Sequence, residues 1–256
     1  MKLYLINLER RPDRLAAMRA EGDRLGLNFV RIDAVDAKKV DPGDRFGTGP
    51  LGVIPRGDQC CTLSHVAAWR AFLASGEPYA AILEDDVVLS GRAPLVLKQS
   101  DWIAAGLDLI KLEHYGPASQ AVLLSDLRTL PNGFRLGRMR SRHTGAAAYI
   151  LSRRAATILS ATSRFNLPVD HLLFNPNNSP LFAALKPVQL LPAVARQQDF
   201  VGDKSDIENW RVGLRKMNAA YVKRELVRFF YDVKLLPRQL ALAATGRAKF
   251  VRVAAP

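Results

Sequence analysis

The sequence predicts an α/β fold: a mostly parallel sheet wrapped by helices, followed by a basic helical tail. Three observations carry that reading. Short apolar runs of strand length alternate with stretches whose apolar residues recur at helical spacing, the mark of βαβ units. Several runs end abruptly in charged clusters, and parallel sheets bind ligands just beyond the carboxyl ends of their strands. The composition is that of a folded globular chain, with 48% apolar and 24% charged among 256 residues, which excludes global disorder and low-complexity classes. The length suits one large domain, or one domain with a small appendage. A change in composition near residue 210 places the boundary, giving a main domain over 1–210 and a tail over 211–256.

The elements follow in order. Residues 3–8 (LYLINL) read as a buried first strand. Asp13 or the turn before it caps a helix with Leu15, Met18 and Leu25 as its apolar face. Residues 29–32 (FVRI) give a second strand, and 33–54, rich in Asp, Gly and Pro, a long loop. Residues 62–74 read as a helix that Ser64 and His65 open. Residues 79–83 (YAAIL) form the next buried strand and run straight into Glu84-Asp85-Asp86. Residues 107–112 end at Glu113-His114, and 146–151 form a strand after which Ser152 caps a helix. Pro168-Val169-Asp170-His171 reads as a helix entry, and 188–191 as a last short strand.

The charge is the unusual feature. The formal net charge is +13, which points to a polyanionic partner. From Arg211 onward, Lys and Arg far outnumber the two acidic residues, Glu225 and Asp232. Val222, Leu226, Phe229, Phe230, Val233 and Leu236 form an apolar stripe, with Lys223, Arg224, Arg228 and Lys234 largely off it and Pro237 as its stop. Such a segment lies on an anionic membrane surface. No basic-aromatic platform, helix-turn-helix or zinc spacing supports nucleic acid as the partner. The two cysteines, Cys60 and Cys61, are adjacent and cannot form a disulfide framework, which suggests a reducing compartment. No apolar run reaches membrane-span length, and the opening MKLYLINLERR is too short for a signal core. The expected location is the cytoplasm, peripheral on the inner face of the plasma membrane.

Chemistry concentrates at the strand ends. Three consecutive carboxylates, Glu84-Asp85-Asp86, repel one another, and a cation relieves that repulsion. Mn²⁺ and Mg²⁺ take oxygen ligands and share them with phosphates. Arg10, Arg11 and Arg14 stand just past the first strand, where guanidinium forks suit a diphosphate. His65 at a helix start would donate to an anion. Asp170 offers a general base, a third metal ligand or a helix cap, and Glu113 a second carboxylate near substrate. No P-loop, dinucleotide fingerprint or nucleophile elbow is present.

Taken in order, these blocks resemble the family 25 glycosyltransferases, which include bacterial lipooligosaccharide galactosyltransferases and collagen galactosyltransferase domains. The matching residues are Ile6-Asn7-Leu8 with Arg10-Arg11-x-Asp13-Arg14, Cys61-x-x-Ser64-His65 with Trp69, Ile82-Leu83-Glu84-Asp85-Asp86-Val87, Thr144-Gly145-Ala146 before Ala148-Tyr149-Ile150-Leu151-Ser152, and Pro168-Val169-Asp170. The resemblance covers about residues 1–206, with Gln197-Gln198 to Ser205-Asp206-Ile207 matching only loosely. It implies a GT-A-like, Rossmann-type nucleotide-sugar-binding fold and inverting transfer of a hexose, often galactose from UDP-galactose, to a glycan acceptor. It also implies Asp85 and Asp86 on Mn²⁺, with Glu84, Asp85, Asn7, Arg10, Arg11, Arg14, Ser64 and His65 on the donor side. Asp170 is the expected base and Glu113 the second choice, because inversion needs a carboxylate to deprotonate the acceptor hydroxyl. Two other classes share some of these features: a metal-dependent phosphohydrolase built on the same triplet, and a basic nucleic-acid-binding protein.

Overall fold

The first apolar run forms strand β1 (Lys2–Asn7), buried from Leu3 onward. Pro12 then sits at the start of helix α1 (Pro12–Leu25), where its missing N–H costs nothing. Asp13 lies in the first turn but caps nothing with its side chain, and Gly26 closes the helix in the left-handed region at φ 63°. Strands β2 (Phe29–Asp33) and β3 (Tyr79–Glu84) flank β1, both parallel to it. Alternation along β1 sends Leu3 and Leu5 to one core layer, with Met18 and Leu25 of α1. It sends Tyr4 and Ile6 to the other, with Val66, Trp69 and Phe72 of helix α2 (Arg56–Leu73). Both faces are therefore covered, as a run with no polar alternation requires. The structure, a computed structural model, describes residues 1–117, 120–198 and 219–256, without the side chains of 219–224, 228 and 232. Asp206, Arg211 and the side chains of Val222, Lys223, Arg224 and Arg228 lie outside the described residues.

The remaining strands are β4 (Val87–Leu89), β5 (Leu109–Lys111), β6 (Glu113–His114), β7 (Ala121–Thr129), β8 (Arg135–Met139), β9 (Ala148–Ser152), β10 (Val188–Leu191), β11 (Ala195–Gln197) and β12 (Ala248–Arg252). The main sheet runs β12-β7-β8-β10-β5-β9-β3-β1-β2, and β4-β11-β6 form a small second sheet. The main sheet is mixed rather than mostly parallel. Strand β9 lies antiparallel to both β3 and β5, and β7 and β8 form an antiparallel pair that the sequence reading leaves out. A strand buried on both faces reads as the same apolar run in either direction, so periodicity does not fix its polarity.

The other helices are α3 (Pro94–Leu97), α4 (Arg153–Ser160), α5 (Val169–Phe174), α6 (Phe182–Leu185), α7 (Ala219–Lys234) and α8 (Leu236–Ala244). Ser152 caps α4, its side chain accepting from Ala155 N. Pro237 stands in the first turn of α8, so it separates two helices. The chain then returns to the main sheet as β12, the edge strand antiparallel to β7. Val253 is buried in the core behind it. Residues 248–253 therefore belong to the main domain, and a boundary at 210 does not divide the chain into a domain and a separate helical tail. The strand is short and carries Lys249 and Arg252, which masks it as part of a basic tail.

Candidate active site

Strands β1, β2 and β3 end side by side, and beyond them lies a cleft of about 260 Å³ lined by Arg10, Arg14, Asp36, Lys38, Cys61, Ser64, Glu84, Asp85 and Asp86, among others. The carboxylate triplet occupies the turn that leaves β3 of the main sheet and enters β4 of the small one. This crossing fixes the triplet's backbone from both sides. Glu84 N donates to Ala147 O at 2.8 Å, and Gln198 N donates to Asp86 O at 2.7 Å.

The three carboxylates have different surroundings. Asp85 is held at both oxygens: Asn7 Nδ2 donates to Oδ2 at 2.6 Å and Arg14 Nη1 to Oδ1 at 3.2 Å. Asn7 is itself fixed, donating to Arg11 O at 3.0 Å and accepting from Arg31 Nε at 3.1 Å. Asn7 is buried and acts as a clamp on Asp85 rather than as cleft lining. Asp86 Oδ1 is buried and has no hydrogen-bond partner among the described residues. Burial, then the neighbouring Glu84 and Asp85, pushes the Asp86 carboxyl well above the usual range. Burial and Asp85 push Glu84 up likewise. An unpartnered carboxylate oxygen among mutually repelling carboxylates is what a hard divalent cation satisfies, so the residues present fit Mn²⁺ or Mg²⁺.

Glu84 is tied to a buried chain of polar groups. His65 Nε2 lies 3.1 Å from Glu84 Oε1, His65 Nδ1 lies 2.9 Å from the Tyr149 hydroxyl, and Trp69 Nε1 donates to that hydroxyl at 2.8 Å. Indole N–H only donates, so the Tyr149 oxygen accepts from it, and its own proton is left for His65 Nδ1 in the tautomer whose Nε2 hydrogen faces the Glu84 carboxylate. His65 Nε2 then carries the hydrogen and donates to Glu84. Burial drives the His65 imidazole down to about 4, so it is neutral. His65 and Ser64 therefore stand inside α2, not at its opening. Ser64 Oγ donates to Cys60 O and accepts from Val35 N, both at 2.8 Å, which ties the loop after β2 to α2. The helix begins at Arg56 because Pro55 precedes it and its missing N–H is no loss at a helix start. Cys61, His65 and Glu84 each bring a donor atom within 4.8 Å of one another. Burial pushes the Cys61 thiol well up, which keeps it protonated, and Glu84 is already served by His65.

Of the arginines, Arg10 and Arg14 line the cleft. Arg10 Nε donates to Asp36 Oδ2 at 2.8 Å. Arg11 does not line it; its guanidinium pairs with Asp13 at 2.8 Å. Asp36 and Lys38, at the end of β2, are site residues that the sequence reading passes over as loop. The signal was present, since the carboxyl-end rule applied to β1 and β3 applies equally to β2.

The two candidate bases differ. Asp170 is half-buried in the first turn of α5, and its charge reaches Cys61, His65, Glu84 and Lys111. Glu113 is fully buried, neither a surface group nor cleft lining. Its Oε1 accepts from Lys111 Nζ at 2.7 Å and from Ala147 N at 3.0 Å. Lys111 is equally buried, donates also to Gly145 O, and stacks over the Phe174 ring at 4.6 Å.

A strand-end cleft of carboxylates and arginines has the groups that a cation and a phosphorylated ligand would use. The chain belongs to glycosyltransferase family 25 and is a glycosyltransferase: the model of that family, described as "Glycosyltransferase family 25 (LPS biosynthesis protein)", matches residues 1–173. It is 28% identical over 209 residues to the lipooligosaccharide biosynthesis protein lic2B of Haemophilus influenzae, covering 76% of this chain and 75% of that one. It is 26% identical over 228 residues to the lacto-N-neotetraose biosynthesis glycosyltransferase LgtB of Neisseria gonorrhoeae, covering 77% and 75%. A solved glycosyltransferase involved in glycosylation of the major capsid of PBCV-1 overlaps 83% of this chain and 100% of its own, with a TM-score of 0.39 and 8% identity, too loose a match to bear on the fold.

Proposed function

We propose that this glycosyltransferase moves a hexose, galactose in our reading, from a UDP-sugar to a glycan acceptor of the lipooligosaccharide type, with inversion and a divalent cation. The observation that carries the reading is Asp86: a buried carboxylate oxygen with no partner among the described residues, beside a cleft that also presents Arg10 and Arg14. Asp86 would hold Mn²⁺ or Mg²⁺, with Asp85 beside it, and the cation would offset the charge developing on the leaving diphosphate. Asn7 and Arg14 keep Asp85 in place. Arg10 and Lys38 bring cationic groups to the same cleft for donor phosphates. Trp69, Tyr149 and His65 orient Glu84. Asp170 is the base that takes the acceptor hydroxyl's proton, since Glu113 is committed to Lys111 away from solvent.

The test is thermal-shift titration with UDP-hexoses, with and without Mn²⁺, followed by transfer assays. UDP-galactose with Mn²⁺ is expected to raise the melting temperature, and Asp86→Asn to lose both that rise and transfer. Asp170→Asn should lose about 10²–10⁴-fold in rate while keeping the thermal shift. Full turnover of Asp86→Asn in EDTA would refute the metal assignment. Release of free phosphate without an acceptor would favour a phosphohydrolase instead.

A further inference from the structure

Seven of the eleven large apolar side chains that stand exposed among the described residues lie between 226 and 250. They include Leu226, Phe229 and Phe230 on α7, Leu240 on α8 and Phe250 on β12, each more than half exposed. Phe229 and Phe230 pack edge to face, 6.1 Å between centroids, and so present one aromatic knob. Around them Lys234, Arg238, Arg247, Lys249 and Arg252 are exposed, and among the described residues none of the five is in an ion pair. Over residues 219–256 there are eight Lys or Arg against Glu225 and Asp232 alone. Apolar side chains left in water beside uncompensated cations describe a surface with a missing counterpart that is apolar within and anionic at its face.

We infer that α7, α8 and β12 form a docking surface for an anionic lipid bilayer. Two features favour lipid over another macromolecule. Cations outnumber acidic residues eight to two over 219–256, an excess that suits a uniformly anionic face better than a mixed-charge protein rim. The exposed apolar residues also span three successive elements, two helices and a strand, rather than one helix face. No helix among the described residues is long and apolar enough to cross a membrane, so the surface lies on the bilayer. It is fixed to the enzyme's main sheet: Phe250 faces Leu123 in the β12–β7 register, and Gln239 Nε2 of α8 donates to Arg140 O at 2.8 Å. Docking thus holds the whole sheet, and with it the cleft, at a set attitude to the bilayer. A lipid-linked acceptor would be met in the plane where it resides.

Sedimentation of the full chain with vesicles tests this, using phosphatidylcholine alone and phosphatidylcholine mixed with phosphatidylglycerol. The chain should pellet with the mixed vesicles at low salt and be released at high salt. The pair Phe229→Ser, Phe230→Ser should weaken binding by about tenfold or more. Each of Arg238→Glu and Arg247→Glu should weaken it by at least about fivefold. Circular dichroism and transfer to a short soluble acceptor should be unchanged in all of them. Equal pelleting with both vesicle types, full binding by the Phe pair, or a wild-type dimer on gel filtration that the Phe pair dissolves would each overturn the inference. Vesicle binding that persists while no UDP-sugar is used leaves the docking surface standing and removes the proposed donor.

Discussion

Tyr149→Phe isolates the buried chain behind Glu84. The substitution keeps the ring and deletes one oxygen, so packing changes little. That oxygen accepts from Trp69 Nε1 at 2.8 Å and meets His65 Nδ1 at 2.9 Å. Trp69, His65 and Tyr149 are all fully buried, so water cannot replace it. Two polar atoms are orphaned, each at about 1–3 kcal/mol, and an overall loss of about 3 kcal/mol is expected. For a chain of this size that lowers the melting temperature by about 6–12 °C. Activity should fall as well, because an unheld His65 no longer fixes the hydrogen that points at Glu84. A drop in kcat/KM of about tenfold corresponds to about 1.4 kcal/mol of lost orientation. Denaturant midpoints and steady-state kinetics on the same preparation check both parts. A stability loss below about 1 kcal/mol would refute the hydrogen-bonding assignment. Normal kinetics in a destabilised variant would refute the link between this chain and Glu84.

Two further outcomes follow from buried groups elsewhere. His143 meets Gln189 Oε1 at 2.9 Å and Tyr115 O at 3.0 Å, and burial pulls its imidazole down to about 3. Its folded value lies below its unfolded one, so its contribution is present above about pH 6.5 and lost as pH falls through that window. The stability gap between wild type and His143→Gln should shrink by about 2 kcal/mol from pH 7 to pH 5, measured by urea midpoints; a constant gap would count against it. Gly145 sits at φ 90°, and an added Cβ would meet the Tyr115 ring at 2.7 Å, whereas Gly76 at φ 79° has nothing within 4 Å of an added Cβ. Gly145→Ala should therefore cost distinctly more than the roughly 1–2 kcal/mol of Gly76→Ala, and equal losses would sink the argument.

Much of the fold was legible because strand and helix periods differ. The runs at 3–8, 79–83 and 146–151 all became strands, and Ser152 capped α4 as its position before an apolar helix suggests. Strand direction was not legible. Strand β9 inserts antiparallel between β3 and β5, and nothing in AYILS distinguishes that from a parallel strand. Strand β12 was hidden for a different reason. Three of its five side chains are solvent-facing and two of those, Lys249 and Arg252, are basic, so it reads as part of an amphipathic tail until its pairing with β7 is seen.

At the site, residue types were legible but their division of labour was not. Sequence placed Asn7, Arg14 and the triplet near one another by the strand-end rule and divided them into metal and donor ligands only through the family resemblance. Their burial and partners separate them. Asp85 spends both oxygens on Asn7 and Arg14, Glu84 is served by His65, and Asp86 alone of the three keeps a buried oxygen without a partner among the described residues. A buried carboxylate oxygen left unsatisfied costs about 1–3 kcal/mol or more, and stability alone would favour a neutral residue there. The neighbouring carboxylates are held by Asn7, Arg14 and His65, which leaves the unmet acceptor on Asp86. Within the triplet the unmet acceptor is confined to one atom, and a cation of the kind proposed would gain most by binding there.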